Sequence, residues 1–379
     1  MKKRIDDIEI LRAAAIIFVV IEHMHLNLFI WGTPALNMFF QYFGGWTGVD
    51  LFLVISGYVI AKDLVPQLQE SESRETFFSR AVIFWTRRFW RLVPSAWTWL
   101  AVILLAAVFF NRSGAWGTIS NNVESAIAGF LHVANFHVAL LYGKEFPGAT
   151  FVFWSLSLEE QFYLLLPFLV LVSGRKLPFV LGLLVVAQIF LERDTPLLAL
   201  VRTDGLFLGV LIALWSRLPS YPLFKPVFLR HPGVAVIVIP AMLGMLACVG
   251  STGLFVTVFR YGLVTCIAGF LVWAASYDED YFARPRWLKV PLLWVGTRSY
   301  ALYLTHLPSY FLTREIWFRL EPTGTRFNTD YTYQFLATAL IVLVCLSELN
   351  YRLIESPARK HGVRIAGEME RRGTAHRID

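Results

Sequence analysis

Arg12 and His23 lie eleven residues apart in the run "EILRAAAIIFVVIEHMH", residues 9 to 25, where almost every other side chain is apolar. In an α-helix, eleven residues turn about 1,100°, roughly 20° past three full turns, and rise about 16.5 Å. The guanidinium and the imidazole therefore share one face at different depths. His25 points about 200° away from His23, so the two histidines cannot serve one site on an unbroken helix. Ionisable side chains inside a membrane are costly unless they face a partner or a polar cavity, which makes them site candidates by default. A neutral imidazole at such a place can remove a proton from a hydroxyl, and a guanidinium can hold an anion. The plain alternative is that Arg12 reaches the headgroups and His23 hydrogen-bonds a neighbouring helix.

Further ionisable residues recur in apolar stretches. "WSLSLEEQFYLLLP" carries Glu159 and Glu160 after Trp154, "VRTDGLFLG" carries Arg202 and Asp204, "SYALYLTHLP" carries His306, and "GGWTGVDLF" carries Asp50. Arg202 and Asp204 either pair with neighbouring helices or touch substrate. His306 either positions a substrate near His23 or bonds between helices. Trp154 serves packing or a sugar-binding surface. The glycines of "GGWTGVDLF" are not followed by Gly-Lys-Ser/Thr, so they read as a tight turn and not as a phosphate loop.

The elements that hold these residues follow from composition. Of 379 residues, 56% are hydrophobic and 16% charged, against about a quarter charged in a soluble domain. The mean hydropathy is +0.57. Apolar runs long enough to cross roughly 30 Å of hydrocarbon recur along nearly the whole chain. The expected fold is an all-α polytopic membrane protein with about ten transmembrane helices. The spans fall near 9–31, 47–64, 93–111, 155–172, 177–191, 197–215, 231–249, 254–275, 287–312 and 333–354. The first run has no small-residue cleavage site and reads as a retained span, not a signal peptide.

The segment 120–142 is interrupted by His132, Asn135 and His137, and is a span, a re-entrant segment or an interfacial helix. Lys and Arg concentrate in cytoplasmic loops. If 120–142 does not cross, the basic segments at residues 2–4, 74–91, 175–176, 217–230, 284–289 and 352–372 all fall on one side, and both termini are cytoplasmic. His23, Asp50, Glu159, Arg202, Asp204 and His306 then lie in the outer half, with Arg12, Arg87, Arg88 and Arg91 on the cytoplasmic side. Residues 73–92 read as an amphipathic helix at the headgroups. Residues 1–356 form the membrane domain, and 357–379 a polar, basic and mobile cytoplasmic tail. The formal charge of +7 reports orientation and not nucleic-acid binding. Cys248, Cys266 and Cys345 sit singly with no metal-ligand spacing, read as packing residues, and no metal is expected.

This ordered set of residues resembles the acyltransferase-3 family of membrane proteins, typified by bacterial O-antigen and exopolysaccharide O-acetyltransferases. The matching elements are Arg12 with His23, "GGWTGVDLFLVISGYVI" at 44–60, "RRFWRLVP" at 87–94, "WSLSLEEQFYLLLP" at 154–167, "RTDGLFLG" at 202–209 and "SYALYLTHLP" at 299–308. Family members often carry a C-terminal SGNH hydrolase-like domain, and this chain looks like the stand-alone transferases. The resemblance implies a multi-pass protein of the bacterial cytoplasmic (inner) membrane that transfers an acyl group, usually acetyl, from cytoplasmic acyl-CoA to an extracytoplasmic hydroxyl. By position it makes His23 and Arg12 the essential histidine and arginine, Arg88 and Arg91 the Arg-x-x-Arg element, Ser56 and Gly57 the Ser-Gly element, and Glu159 the acidic residue of the Trp-Ser-Leu block.

On that footing, His23 is the general base, with Glu159 or Asp50 orienting it, or else a nucleophile forming an acyl-histidine. Arg12, Arg88 and Arg91, with Ser56 and Gly57, would hold acetyl-CoA, although Arg88 and Arg91 also read as topology determinants only. His306, Arg202, Asp204 and Trp154 are the candidate acceptor residues. The expected partners are acyl-CoA, membrane lipids and a carbohydrate, lipid-linked or a nascent polysaccharide. A macrolide or lipid A sugar is the alternative acceptor, and a proton-coupled transporter the alternative class. Oligomeric state is left open, a homodimer included.

Overall fold

In the computed structural model, which describes residues 4–145, 148–254 and 256–375, the chain is helical throughout. The first half contains α1 (Asp6–Met24), α2 (Pro34–Tyr42), α3 (Thr47–Gln69), α4 (Arg74–Phe109), α5 (Ile119–Phe130), α6 (Ala134–Leu141), α7 (Phe153–Ser173) and α8 (Leu177–Ile189). The second half contains α9 (Pro196–Leu200), α10 (Asp204–Trp215), α11 (Pro232–Gly250), α12 (Arg260–Ala275), α13 (Arg286–Thr297), α14 (Ser299–Leu320), α15 (Thr332–Asn350) and α16 (Ser356–Ala375). Among the described residues, five segments are long and apolar enough to cross a membrane: Arg74–Phe109, Phe153–Ile189, Pro196–Trp215, Pro232–Gly250 and Thr329–Arg372. The helices that carry the two histidines, α1 and α14, are more polar, with Glu9, Arg12 and Glu22 on one and Arg314, Glu315 and Arg319 on the other.

Glycines set how closely the central helices approach. A Cβ at Gly57 would lie 2.1 Å from the Leu206 carbonyl oxygen, and one at Gly209 2.2 Å from that of Val54. Backbone thus meets backbone where α3 crosses α10, as small residues permit in membrane helix pairs. The expected tight turn before α3 is present. Glu22 at the end of α1 accepts the Gly45 amide at 2.7 Å, which explains one of the acidic residues in the opening run.

The segment 120–142 folds as a hairpin of α5 and α6. At 12 and 8 residues, the two arms rise about 18 and 12 Å, too little to cross. His132 at the bend has φ 55°. Phe130 beside it stacks on Trp97 of α4 at 4.4 Å, and Gln161 of α7 donates to the His132 carbonyl at 2.8 Å. The exposed backbone of the bend is thereby satisfied by protein, as a re-entrant segment requires.

Four expectations are corrected. Residues 73–92 are not a helix separate from the span expected at 93–111. They are the first half of the 36-residue α4, with Phe77, Ala81 and Phe84 buried and the Trp85 indole donating to the Tyr163 carbonyl at 3.0 Å. The span expected at 287–312 breaks at Arg298 into α13 and α14, because the Arg298 guanidinium turns aside to pair with Glu348 and stack on Tyr351 at 4.5 Å. The tail expected after 356 is helical at least to residue 375. A π-helical turn, Tyr351–Glu355, leads into α16, which docks on α4 through Trp90 against His361, at 4.4 Å between rings, and Arg87 to Glu370 at 2.7 Å. Cys248, Cys266 and Cys345 face outward and not into the packing.

Candidate active site

The end of α1 and the middle of α14 bring two histidines together. His23 Nδ1 lies 2.8 Å from His306 Nε2, and His306 Nδ1 lies 2.7 Å from the carbonyl oxygen of Tyr303. A carbonyl only accepts, so His306 Nδ1 carries a hydrogen. In a neutral His306 the other nitrogen then accepts, and His23 must donate from Nδ1. This network assigns His23 Nε2 as an unprotonated lone pair. His306 is fully buried and His23 half-buried. The Tyr310 hydroxyl donates to the Val20 carbonyl at 2.6 Å and locks α14 to α1, while Phe151 sets its ring edge-on to His23 at 5.1 Å.

The orienting partner of His23 is therefore His306 and neither of the carboxylates expected. Glu159 instead accepts hydrogen bonds from the Ser56 hydroxyl and from the Tyr163 hydroxyl at 2.7 Å. Asp50 takes the Arg202 guanidinium in a two-pronged pair at 2.6 and 2.8 Å. Arg202 also lies under the Trp154 ring at 4.9 Å. Asp204 pairs with Arg193 at 3.0 Å and accepts from Thr265 at 2.9 Å. Arg202 and Asp204 are 4% and 1% exposed. They tie α10 to α3, to the α8–α9 connection and to α12, which is the helix-pairing alternative of the two readings. Gly57 likewise serves the α3–α10 crossing and not a ligand.

Toward the start of α1 the polar residues open onto space. A narrow cavity of about 80 Å³ is lined by Arg12, Arg88, Arg91, Ser56 and Glu159, with Tyr303 at one end. Arg12 and Arg91 continue into a vestibule of about 280 Å³ whose other charged walls include Arg4, Lys62 and Arg359 against Glu9, Asp63 and Glu355. Arg12 stands 3.7 Å from Glu9. Arg88 lies over the Tyr163 ring at 5.5 Å, and among the described residues neither it nor Arg91 has a carboxylate within ion-pair distance. Glu159, Glu160 and Glu355 are near enough to act on these cations but not to pair with them directly, so the arginines keep hydrogen-bonding capacity for an incoming anion.

The wall of this cavity holds a bonded pair, Tyr303 with Ser155. The Tyr303 hydroxyl meets Ser155 Oγ at 2.7 Å and donates to the Val152 carbonyl at 2.9 Å. Beyond the histidines, near the end of α1, lies a second cavity of about 610 Å³, lined by His25, Asn27, Tyr142, Phe151, Trp154 and Arg314 among others. Trp154 thus reaches both Arg202 and the outer cavity. A wider groove of about 1310 Å³ between α3, α7, α10 and α12 is lined mainly by apolar side chains and holds none of the site residues.

Lys62, Tyr303, Arg314, Glu355 and Arg359 line or complete the site without having been singled out in the sequence. The one local signal was the spacing of Tyr303 and His306, since a side chain can bond the carbonyl three residues earlier in its own helix.

A helical membrane protein with a buried histidine pair, a cationic vestibule near one end of α1 and a second cavity near the other has the parts of a transferase, and the chain belongs to the acyltransferase-3 family. Its residues 5–347 match that family, described as an acyltransferase domain. Similar proteins include the peptidoglycan O-acetyltransferase OatA of Listeria monocytogenes, 30% identical over 390 residues, covering 95% of this chain and 57% of that protein. The putative peptidoglycan O-acetyltransferase YrhL of Bacillus subtilis is 29% identical, with 97% and 56% covered. The O-acetyltransferase OatA of Staphylococcus aureus is 27% identical, with 93% and 57% covered. The chain spans little more than half the length of these relatives. No solved structure matches it.

Proposed function

We propose that the protein is an O-acyltransferase of the bacterial cytoplasmic membrane that moves an acetyl group from cytoplasmic acyl-CoA to a hydroxyl of an extracytoplasmic carbohydrate polymer. It crosses the membrane ten times with both termini inside. The names of the relatives favour a cell-wall glycan over an exopolysaccharide as acceptor. The observation that carries the reading is the relay from the Tyr303 carbonyl through His306 to His23, which leaves His23 Nε2 as a base.

Arg88 and Arg91, with no carboxylate among the described residues in direct ion-pair contact, suit the phosphates of coenzyme A, with Arg12 beside them. As the acceptor oxygen attacks the thioester carbonyl, its proton passes to His23 Nε2. The new C–O bond forms, the C–S bond breaks, and the thiolate leaves to be protonated as the free thiol. The imidazolium formed on His23 keeps its Nδ1 hydrogen bond to His306.

The test is His23→Ala in the purified protein. Transfer falls by at least about 100-fold, while acetyl-CoA and not free acetate still raises the thermal midpoint, since a ligand stabilises the state that binds it. Transfer that survives the substitution removes the assignment, and stabilisation by acetate alone would favour a transporter.

A further inference from the structure

Arg314 stands in the wall of the outer cavity without an acidic partner. Its guanidinium lies 3.4 Å from the Asn27 carbonyl, and the Asn27 amide donates to the His23 carbonyl at 3.0 Å, so the cation sits beside the turn that ends the helix bearing His23. The neighbouring acid on α14 is already committed. Glu315 is fully buried and accepts the amides of Arg112 and Ser113 at 2.9 and 2.7 Å and the Arg319 guanidinium at 2.7 Å. Glu145 also lines the cavity, from its exposed rim, and among the described residues no carboxylate comes within ion-pair distance of Arg314. Aromatic faces at Trp154, Phe151 and Tyr142 complete a wall that suits a sugar.

We infer that Arg314 binds an oxyanion of the acceptor, so that the cavity selects glycans bearing a negative group close to the hydroxyl that is acylated. This rests on the outer cavity being the acceptor side of the proposed reaction. The group is a carboxylate on the glycan or the diphosphate of a lipid-carried one. Both offer the paired oxygens that a guanidinium holds with two hydrogen bonds.

The experiment measures equilibrium binding of three soluble oligosaccharides of one length to the full chain: neutral N-acetylglucosamine oligomers, the same with carboxylate-bearing sugars, and the same with a terminal diphosphate. The wild-type protein binds at least one anionic form about 10-fold more tightly than the neutral one, and the form preferred identifies the source of the charge. Arg314→Gln abolishes the preference, and Arg314→Lys keeps part of it, which serves as the reading if the glutamine variant does not fold. Equal binding of all three by the wild type, or a preference that survives in Arg314→Gln, overturns the inference. Because binding is read without turnover, a His23→Ala protein that still transfers acetyl groups would remove the base and leave this conclusion standing.

Discussion

At the scale of single residues, the pairing of His23 with a second histidine decides how the proposed base is held. A carboxylate partner would add a full negative charge beside the imidazolium, whereas His306 adds a dipole already oriented by the Tyr303 carbonyl. His306→Ala should therefore lower kcat by roughly 100-fold or more while leaving the KM for acetyl-CoA unchanged, as expected of a group that fixes a tautomer and touches no donor atom. Arg91→Gln should do the reverse, raising the donor KM about 10-fold or more with kcat little affected, and the loss should shrink as salt is raised. The sequence made Arg12 and His23 legible because eleven residues is a simple helical spacing. It could not reveal His306 as the partner, since 283 residues separate the two and only packing of α14 on α1 brings them together. Glu159 and Asp50 were credible orienters for the same reason, but Ser56 and Tyr163 bond one oxygen of Glu159 and Arg202 bonds both of Asp50.

At the scale of elements, the glycines of the α3–α10 crossing serve contact and not binding. Gly57→Ala places a methyl group within 2.1 Å of a backbone oxygen. It should cost about 1 to 3 kcal/mol of stability, seen as a lowered thermal midpoint, while the folded fraction keeps its affinity for acetyl-CoA. A ligand role for Gly57 would give the opposite pattern. For 120–142 the placement of basic loops argued against a crossing, and the short arms of α5 and α6 agree, whereas the choice between a re-entrant and an interfacial segment stayed open. The continuity of α4 and the docking of α16 were not legible, because charged and aromatic residues at helical spacing look alike whether they lie on a bilayer or against another helix. What decided α16 was Trp90, which offers a ring to His361 and lies too far along the chain for any local pattern to register.

At the scale of the whole molecule, the all-helical fold places a cationic vestibule at one end of α1 and a larger, aromatic-walled cavity at the other, with the histidines nearer the second. The contact of Tyr303 with Ser155 and the Val152 carbonyl lies at the wall of the narrow cavity, three residues before His306 on α14. If the protein works in the bacterial cytoplasmic membrane as proposed, that bilayer also stores energy as a proton gradient, and a passage for a thioester arm would have to insulate it between turnovers. Tyr303 is placed to act as the insulator. Proteoliposomes holding the Tyr303→Ala protein should dissipate an imposed pH difference faster than those holding the wild type, as an enclosed pH-sensitive dye would report. Equal rates would mean that the seal lies elsewhere.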